Sequence, residues 1–304
     1  MLNKLYFYKH KQNNGTQEYT GGKAFAAALE EYFCFRGMRV VCEPTQSGTF
    51  GVSYICRDVA GNSFFAKTHL PMQRYKDALR MEYMLFNAAN PDYQSHSSLV
   101  ELSSGQTVFL MKLLGKGSRV NLTPERTLEL IASYHEKLAG LPRPGESYDL
   151  EALCEEARED LVMMLQKEII TKKLYKYAWQ RLDFLIAVLP EMPRCICHGD
   201  LSDQNILFDS DGRPVVIDWE DAFWGIEGYD YINWITFFNH RKFYCKDIFL
   251  PSGLDRELVL SLLVLILILK SAISYLNGSF RTNTMGIEER IWEIVTVVGG
   301  SINE

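Results

Sequence analysis

One stretch constrains what this chain can fold into more than any other: CHGDLSDQNILFD over residues 197–209, followed by PVVIDWED over residues 214–221. Apolar runs that are typical of short strands alternate there with polar residues that suit turns. Asp200, Asn205 and Asp218 follow one another at spacings of five and thirteen residues. The chain must therefore place two carboxylates and one carboxamide directly beside short buried strands.

A β-hairpin is predicted between these polar residues, because Asp211-Gly212 separates the apolar runs NILF and PVVI. The hairpin would return Asp218 toward Asn205. Carboxylate and carboxamide oxygens are the ligands that suit Mg²⁺, and Asp200, in a tight loop after a strand, could reach a substrate hydroxyl. The spaced set therefore indicates phosphoryl transfer from a nucleotide, with Asp200 as the catalytic group and Asn205 and Asp218 as metal ligands.

Composition and charge exclude one class of partner. The 304 residues carry a formal charge of −6, which argues against a nucleic-acid-binding protein, because such proteins show a basic footprint. Residues 1–115 hold 12 Lys/Arg and 9 Asp/Glu, and residues 116–304 hold 20 and 29. A basic first part suits a polyphosphate and an acidic second part suits a cationic substrate, although ordinary solvated surface would give the same imbalance.

The sequence predicts neither a membrane span nor a signal peptide. Its longest apolar run, from Leu258 to Leu269, has 12 residues, whereas a bilayer requires about 20, so we expect a buried helix. The N-terminal residues MLNKLYFYKHKQNNG contain no long apolar core. Seven cysteines without framework spacing indicate free thiols and a reducing compartment. We therefore expect a cytoplasmic protein.

Two of the cysteines, Cys195 and Cys197, form a C-x-C pair directly before His198. Alternation along a strand would put both thiols on one face. A zinc site requires more ligands than this pair supplies, and the neighbouring sequence does not offer them. The sequence therefore predicts no metal site at the cysteines.

Hydrophobic periodicity divides the chain into a strand-rich first part and a helical second part. Strands are predicted at residues 39–42, 50–57, 63–69, 99–102 and 107–114, and helices in the same part at residues 21–35 and 73–89. Helices in the second part are predicted at residues 123–138, 149–167, 170–189, 254–276 and 287–297. This pattern predicts an α+β chain with a boundary near residue 115.

The motifs HGDLSDQNILFD and VVIDWEDA resemble those of the aminoglycoside phosphotransferase and choline kinase family, a branch of the protein-kinase-like fold. The resemblance implies a β-rich nucleotide-binding lobe at residues 1–115 and a mainly helical lobe at residues 116–304 that carries the catalytic and acceptor-binding groups. It also implies that Asp200 is the catalytic aspartate and that Asn205 and Asp218 bind Mg²⁺.

The resemblance extends to residues on both sides of these motifs. Lys67 in SFFAKTH is similar to the strand lysine that contacts the α- and β-phosphates, and Glu82 in RMEYM is similar to the helix glutamate that pairs with it. His198 would brace the catalytic loop, and Asp230 in GYDYINW would anchor it. Tyr134 and His135 would belong to the core, where Tyr134 replaces a leucine of the family.

Two further segments resemble nucleotide-binding elements of the family. QSGTFG is similar to the loop that covers the phosphates, where glycine lets backbone N–H groups approach the ligand, although Gln46 replaces a third glycine. FLMKLLG is similar to the hinge that holds adenine by its backbone. The implied contacts to ATP or GTP are Ser47, Gly48, Thr49, Gly51, Lys112 and Leu114.

The sequence leaves the acceptor and two alternative functions open. Asp203, Glu220 and Asp221 are candidate carboxylates for an amine-bearing acceptor, such as an aminoglycoside-like antibiotic, choline or a related metabolite. An atypical protein kinase is one alternative, but HGD in place of HRD and the lack of an A-P-E motif count against it. A catalytically inactive pseudokinase that binds nucleotide is the other, and the presence of Lys67 and Asp200 counts against it.

Overall fold

The computed structural model describes residues 21–45, 51–69, 78–113, 122–144, 149–249, 254–283 and 285–299. The chain divides into two compact units. Of the described residues, those from 21 to 113 and those from 206 to 220 form the first, here called the sheet unit. The described residues from 122 to 205 and from 221 to 299 form the second, here called the helical unit.

Strands and helices follow one another in the described residues with bounds close to those predicted. The strands are β1 (Val40–Pro44), β2 (Gly51–Asp58), β3 (Ser63–His69), β4 (Ser97–Glu101), β5 (Thr107–Leu113), β6 (Arg194–Cys197), β7 (Ile206–Phe208), β8 (Pro214–Val216) and β9 (Phe223–Ile226). The helices are α1 (Gly21–Cys34), α2 (Ala78–Ala89), α3 (Pro124–Leu138), α4 (Leu150–Gln166), α5 (Lys172–Val188), α6 (Tyr229–Ile235), α7 (Lys246–Phe249), α8 (Arg256–Leu276) and α9 (Ile287–Val297). Residues 73–77 of the helix predicted at 73–89 lie outside the described residues.

An antiparallel sheet with strand order β1-β2-β3-β5-β4 is the centre of the sheet unit. Helix α1 supplies Phe25, Leu29 and Phe33 at helical spacing to a core that includes Tyr54 of β2 and Val108 of β5. Helix α2 buries one face, on which Glu82 lies among apolar residues. The α+β architecture predicted from the sequence is confirmed.

The predicted Asp-Gly hairpin is present in the sheet unit as β7 and β8, which pair antiparallel. Asp209 stabilises the turn, because one of its carboxylate oxygens accepts hydrogen bonds from the backbone N–H groups of Asp211 and Arg213. Gly212 has a φ of 77°, a left-handed conformation that glycine adopts without steric cost. The hairpin leads directly to Asp218.

Two of the cysteines are bonded to each other, contrary to the prediction of free thiols. The register of β1 and β2 places Cys42 opposite Cys56, with Cα atoms 4.1 Å apart, and the two form a disulfide. The remaining five are free. The expectation is therefore wrong for Cys42 and Cys56, because their separation of 14 residues does not reveal the strand register. Cysteine content thus no longer indicates a reducing compartment.

Capped helices make up most of the helical unit. The hydroxyl of Thr123 accepts a hydrogen bond from Arg126 N at the start of α3, with Pro124 in the first position, as the sequence predicts. Asp149, Thr171 and Asp255 cap α4, α5 and α8 in the same way. Helices α4, α5 and α8 pack against one another and form the apolar core of this unit.

Helix α8 contains the longest apolar run, and every residue from Leu258 to Leu269 is buried. Among the described helices it alone is long and apolar enough to cross a membrane by length and composition, yet 78% of its apolar window is buried within the protein. Such burial is expected of a core helix, which confirms the predicted buried helix.

We expect Asn90→Ala to lower the free energy of unfolding by about 2 kcal/mol. Asn90 is buried between α2 and β8: its side-chain amide donates to the carbonyl oxygens of Phe86 and Val216 at 2.9 Å, and its Oδ1 accepts from Val216 N at 3.2 Å. The measurement is urea denaturation. The control is Asn283→Ala, which removes an exposed amide and should change stability by less than about 0.5 kcal/mol. Equal stability of the two variants would contradict this role of Asn90.

Candidate active site

A lysine surrounded by three carboxylates occupies the sheet unit. The ammonium of Lys67 lies 2.9 Å from Glu82 Oε1, 2.5 Å from Asp218 Oδ1 and 2.8 Å from Glu220 Oε2. These four residues are here called the Lys67 cluster. The side chains of Lys67, Glu82 and Glu220 are nearly buried, whereas the side chain of Asp218 is 34% exposed. The carboxylate of Asp218 is therefore the member most open to a ligand.

Three elements of the sheet unit position this cluster. Lys67 is on β3, where it lies opposite Phe109 of β5, and Glu82 is on the buried face of α2. Asp218 and Glu220 follow β8. Asp218 has a φ of 67°, which costs a non-glycine residue of the order of 1 kcal/mol. Such strain is typical of residues that a functional site holds in place.

The carboxylates of the Lys67 cluster keep the lysine charged. Burial alone would lower the pKa of Lys67, but the charges of Asp218, Glu220 and Glu82 raise its pKa well above the usual value, so the lysine remains an ammonium. Carboxylate oxygens of Glu82, Asp218 and Glu220 lie within 4.8 Å of one another. This hard oxygen set fits Mg²⁺.

In the helical unit, a buried carboxylate anchors the predicted catalytic loop. Asp230 Oδ2 accepts hydrogen bonds from His198 N at 2.8 Å and Tyr134 Oη at 2.6 Å, and Oδ1 accepts from Gly199 N at 3.0 Å. Burial alone would raise the pKa of Asp230, but hydrogen bonding to His135 and the charge of that residue lower it. Asp230 is therefore an ionised anchor for the loop, and its predicted structural role is confirmed.

The loop also requires a glycine after His198. Gly199 has a φ of 83°, and a Cβ atom built there would lie 2.1 Å from the carbonyl oxygen of Asp221. A side chain at this position would displace one of two backbone segments, so glycine is required by close approach as well as by conformation. His198 is fully buried, and its Nδ1 accepts a hydrogen bond from Asp200 N at 3.3 Å, which agrees with its predicted bracing role.

Asp200 and Asn205 lie at the two ends of the same loop. The side-chain amide of Asn205 donates to the carbonyl oxygen of Asp200 at 2.9 Å. This bond turns the amide nitrogen of Asn205 toward the loop backbone and assigns the orientation of its carboxamide. The side chain of Asp200 is partly exposed, as contact with a substrate hydroxyl would require. Both contacts are made within the helical unit.

Asp203, a predicted acceptor contact, is bound to other residues of the helical unit. Its Oδ1 accepts from Trp234 Nε1 at 2.8 Å, and its Oδ2 lies 2.8 Å from Asn239 Nδ2 and 3.0 Å from His240 Nε2. Burial alone would raise the pKa of Asp203, but the hydrogen bond with His240 lowers it. Trp234, its hydrogen-bond donor, is fully buried in the core, as is Tyr229.

The remaining predicted residues are distributed as follows. Asp221 is buried, with 6% of its surface exposed. Lys112 is on β5 opposite Phe64, and Gly51 begins β2. Ser47, Gly48, Thr49 and Leu114 lie outside the described residues. The sequence does not predict that Glu220 lies beside Lys67. It predicts Glu220 as a contact to the acceptor, and only the turn after β8 brings this carboxylate to the lysine.

The fold and the motifs define the class of protein as a phosphotransferase with a kinase-like fold. The chain belongs to the phosphotransferase enzyme family APH, which matches residues 60–243. The matched segment spans more than half of the chain. It contains the three sequence motifs around Lys67, Asp200 and Asp218. The resemblance stated from the sequence is thereby confirmed.

Solved structures of similar fold cover almost the whole chain. A GDP complex of a single-residue mutant of aminoglycoside 2'-phosphotransferase-IIIa has a TM-score of 0.56 and 16% identity, and the match covers 90% of this chain and 95% of that one. Spectinomycin phosphotransferase APH(9)-Ia in complex with ADP and spectinomycin has a TM-score of 0.57 and 12% identity, with coverage of 90% and 98%. These similarities show the protein-kinase-like fold.

A curated relative adds a sugar kinase to the comparison. N-acetylmuramate/N-acetylglucosamine kinase of Neisseria meningitidis serogroup B (strain ATCC BAA-335 / MC58) is 25% identical over 190 residues, which cover 60% of this chain and 54% of that protein. The chain thus matches about half the length of this relative.

We expect Asp230→Asn to destabilise the protein by about 3 kcal/mol. In the wild type, His198 N, Gly199 N and Tyr134 Oη all donate to this one carboxylate. An asparagine keeps the side-chain volume but replaces one acceptor oxygen by an NH₂ group, so at least one buried donor loses its acceptor. Chemical denaturation of the two proteins measures the difference. In the matched control, Asp247→Asn neutralises an exposed acid of α7 and should have almost no effect. A loss below about 1 kcal/mol for Asp230→Asn would show that the carboxylate is not the anchor.

Proposed function

We propose that this protein transfers the γ-phosphoryl group of ATP, or of GTP, to a hydroxyl group of a small amine-bearing molecule. The observation that carries the proposal is the Lys67 cluster, in which an ammonium ion stands beside carboxylates that fit a divalent cation. Phosphoryl transfer depends mostly on positioning and on charge neutralisation. A fixed ammonium and an oxygen-rich metal site are the groups that this chemistry uses.

In this proposal Lys67 binds the α- and β-phosphates, and Glu82 holds the lysine in position. Asp218 is a Mg²⁺ ligand in the sheet unit, and Asn205 provides a further oxygen ligand from the end of the catalytic loop. When bound, Mg²⁺ neutralises charge on the phosphate oxygens. The remaining predicted nucleotide contacts are Ser47, Gly48, Thr49 and Gly51 in the phosphate loop and Lys112 and Leu114 in the hinge.

Asp200 orients the acceptor hydroxyl and accepts its proton. A partly exposed carboxylate in a loop that a buried anion holds in place supports this role. GDP and ADP in the two related structures support a nucleoside triphosphate as donor. A cytoplasmic location fits a dependence on such a donor.

An amine-bearing acceptor is supported by the excess of acidic residues in the second part of the chain. The related proteins named for aminoglycosides and spectinomycin also act on amine-bearing molecules. Asp221 and Asp203 are the proposed acceptor contacts. Glu220 was predicted with them, but its position beside Lys67 supports a role at the phosphates instead.

An N-acetylated amino sugar is the second candidate acceptor, because the curated relative is a kinase of N-acetylmuramate and N-acetylglucosamine. These sugars carry no amine cation. A screen of ATP and GTP turnover with Mg²⁺ against aminoglycosides, choline, ethanolamine and both sugars distinguishes the candidates. Turnover with an amine-bearing compound alone supports the first candidate. Lack of stimulation by every compound would favour a protein acceptor or a non-catalytic role.

We expect Asp200→Asn to lower kcat by about 10²- to 10⁴-fold while the Kd for the nucleotide stays within about threefold, because the carboxylate acts on the acceptor hydroxyl. The measurement combines acceptor-dependent turnover with nucleotide titration. Asp247→Asn, a change of the same charge on the exposed surface of α7, is the control and should leave both quantities unchanged. Full phosphorylation by Asp200→Asn would show that another group accepts the proton.

A further inference from the structure

Three soft ligand groups meet in the helical unit beside the anchor of the catalytic loop. Cys195 Sγ lies 3.8 Å from Cys197 Sγ and 3.9 Å from His135 Nε2, and the three ligand atoms are within 4.8 Å of one another. Cys197 is fully buried, whereas Cys195 is only partly buried. His135, Cys195 and Cys197 are here called the thiol–imidazole cluster. The proposed phosphotransferase chemistry does not use it.

The local fold explains why these groups meet. Alternation along β6 puts the two thiols on one face, as the sequence predicts, and α3 presents His135 to that face beside Tyr134. Gly225 of β9 lies opposite Cys195, and a Cβ atom there would come within 2.7 Å of Cys197 Sγ. The glycine therefore leaves the space that the sulfur of Cys197 occupies.

The distances match the ligand set of a tetrahedral zinc ion. With Zn–S bonds of about 2.3 Å, two sulfurs on a tetrahedral ion are about 3.8 Å apart, and with a Zn–N bond of about 2.0 Å a sulfur and a nitrogen are about 3.5 Å apart. The observed sulfur–sulfur distance is 3.8 Å and the observed Sγ–Nε2 distance is 3.9 Å. The Cys195 Sγ–Nε2 distance is thus a few tenths of an ångström longer than the tetrahedral value, and Nε2 and Cys197 Sγ lie within 4.8 Å of each other.

The charges also suit a divalent ion. Two thiolates neutralise a 2+ charge, so the ion and its ligands together carry no net charge in this partly buried place. The thiol protons are released to solvent when the metal binds, including the one that Cys197 donates to the carbonyl oxygen of Ile226 at 3.4 Å. The proton on Nε2 of His135 is released with them, because that nitrogen must offer its lone pair to the ion.

We propose that His135, Cys195 and Cys197 bind one thiophilic divalent metal ion of the zinc class, with solvent in the fourth position. Sulfur and imidazole ligands select such an ion over Mg²⁺, so this site is chemically distinct from the oxygen-rich Lys67 cluster. The ion joins α3 to β6 directly before His198 and Asp200. Its binding therefore stabilises the segment that leads into the catalytic loop, whatever the acceptor of the enzyme is.

The test is a titration of untagged, metal-free protein, whose Cys195 and Cys197 are confirmed as reduced thiols, with Co²⁺. We expect one equivalent per chain to give the visible bands of tetrahedral cobalt and the near-ultraviolet thiolate-to-cobalt charge-transfer band. Zn²⁺ should displace the cobalt. Wild-type protein that gives neither band, or binds Co²⁺ without thiolate ligation, overturns the proposal.

Variants assign the ligands. Cys195→Ser and His135→Gln should each weaken Co²⁺ binding by at least tenfold, and Cys195→Ser should also weaken the charge-transfer band. Cys245→Ser removes an exposed free thiol elsewhere in the helical unit and should bind Co²⁺ as wild type does. Retention of wild-type binding by both ligand variants would overturn the assignment.

A thermal measurement separates loss of the metal from loss of the fold. The melting temperature of wild-type protein should rise with added Zn²⁺, because the ion binds the native state, whereas that of Cys195→Ser should not. Cys195 is chosen because it is less buried than Cys197, and circular dichroism confirms that the variant folds. Equal stabilisation of both proteins by Zn²⁺ would place the metal elsewhere and contradict the proposal.

Discussion

The ion pairing of Lys67 is the interaction on which the organisation of the sheet unit depends. A buried ammonium is stable only beside opposite charge, and here β3, α2 and the segment after β8 are joined because carboxylates from the last two reach the lysine on the first. The same three carboxylates bring their oxygens within 4.8 Å of one another, an arrangement that suits a divalent cation. The contacts that organise the unit are therefore also those on which the proposed phosphate chemistry depends.

Asp230 has the corresponding role in the helical unit. One buried carboxylate binds two consecutive backbone N–H groups and a tyrosine hydroxyl, which fixes the loop that carries Asp200. The pKa of Tyr134 is raised well above its usual value by burial and then by the charge of Asp230, so the tyrosine retains the proton that it donates. Both units therefore contain a buried charge with several partners. The residue proposed to contact a ligand is in each case a more exposed carboxylate, Asp218 in the sheet unit and Asp200 in the helical unit.

The sequence predicted most of this because its strongest signals are local. The Asp211-Gly212 hairpin and the buried run of α8 each depend on a few adjacent residues, and both are confirmed. Contacts set by register or tertiary packing were missed. The Cys42–Cys56 disulfide depends on the pairing of two strands, and Glu220 reaches Lys67 only through the turn after β8. His135 joins Cys195 across 60 residues, a separation at which sequence pattern carries no information on contact.

The most direct test of the account is the affinity of the protein for MgATP when the ammonium of Lys67 is removed. We expect Lys67→Met to weaken binding by about 2 kcal/mol or more, roughly thirtyfold in Kd, because the phosphates lose a desolvated charge partner. Lys23→Met, which removes an exposed lysine of α1, should bind as wild type does. Calorimetric titration of the three proteins decides the question. A Kd for Lys67→Met equal to that of wild type would contradict the claim that the Lys67 cluster binds the nucleotide.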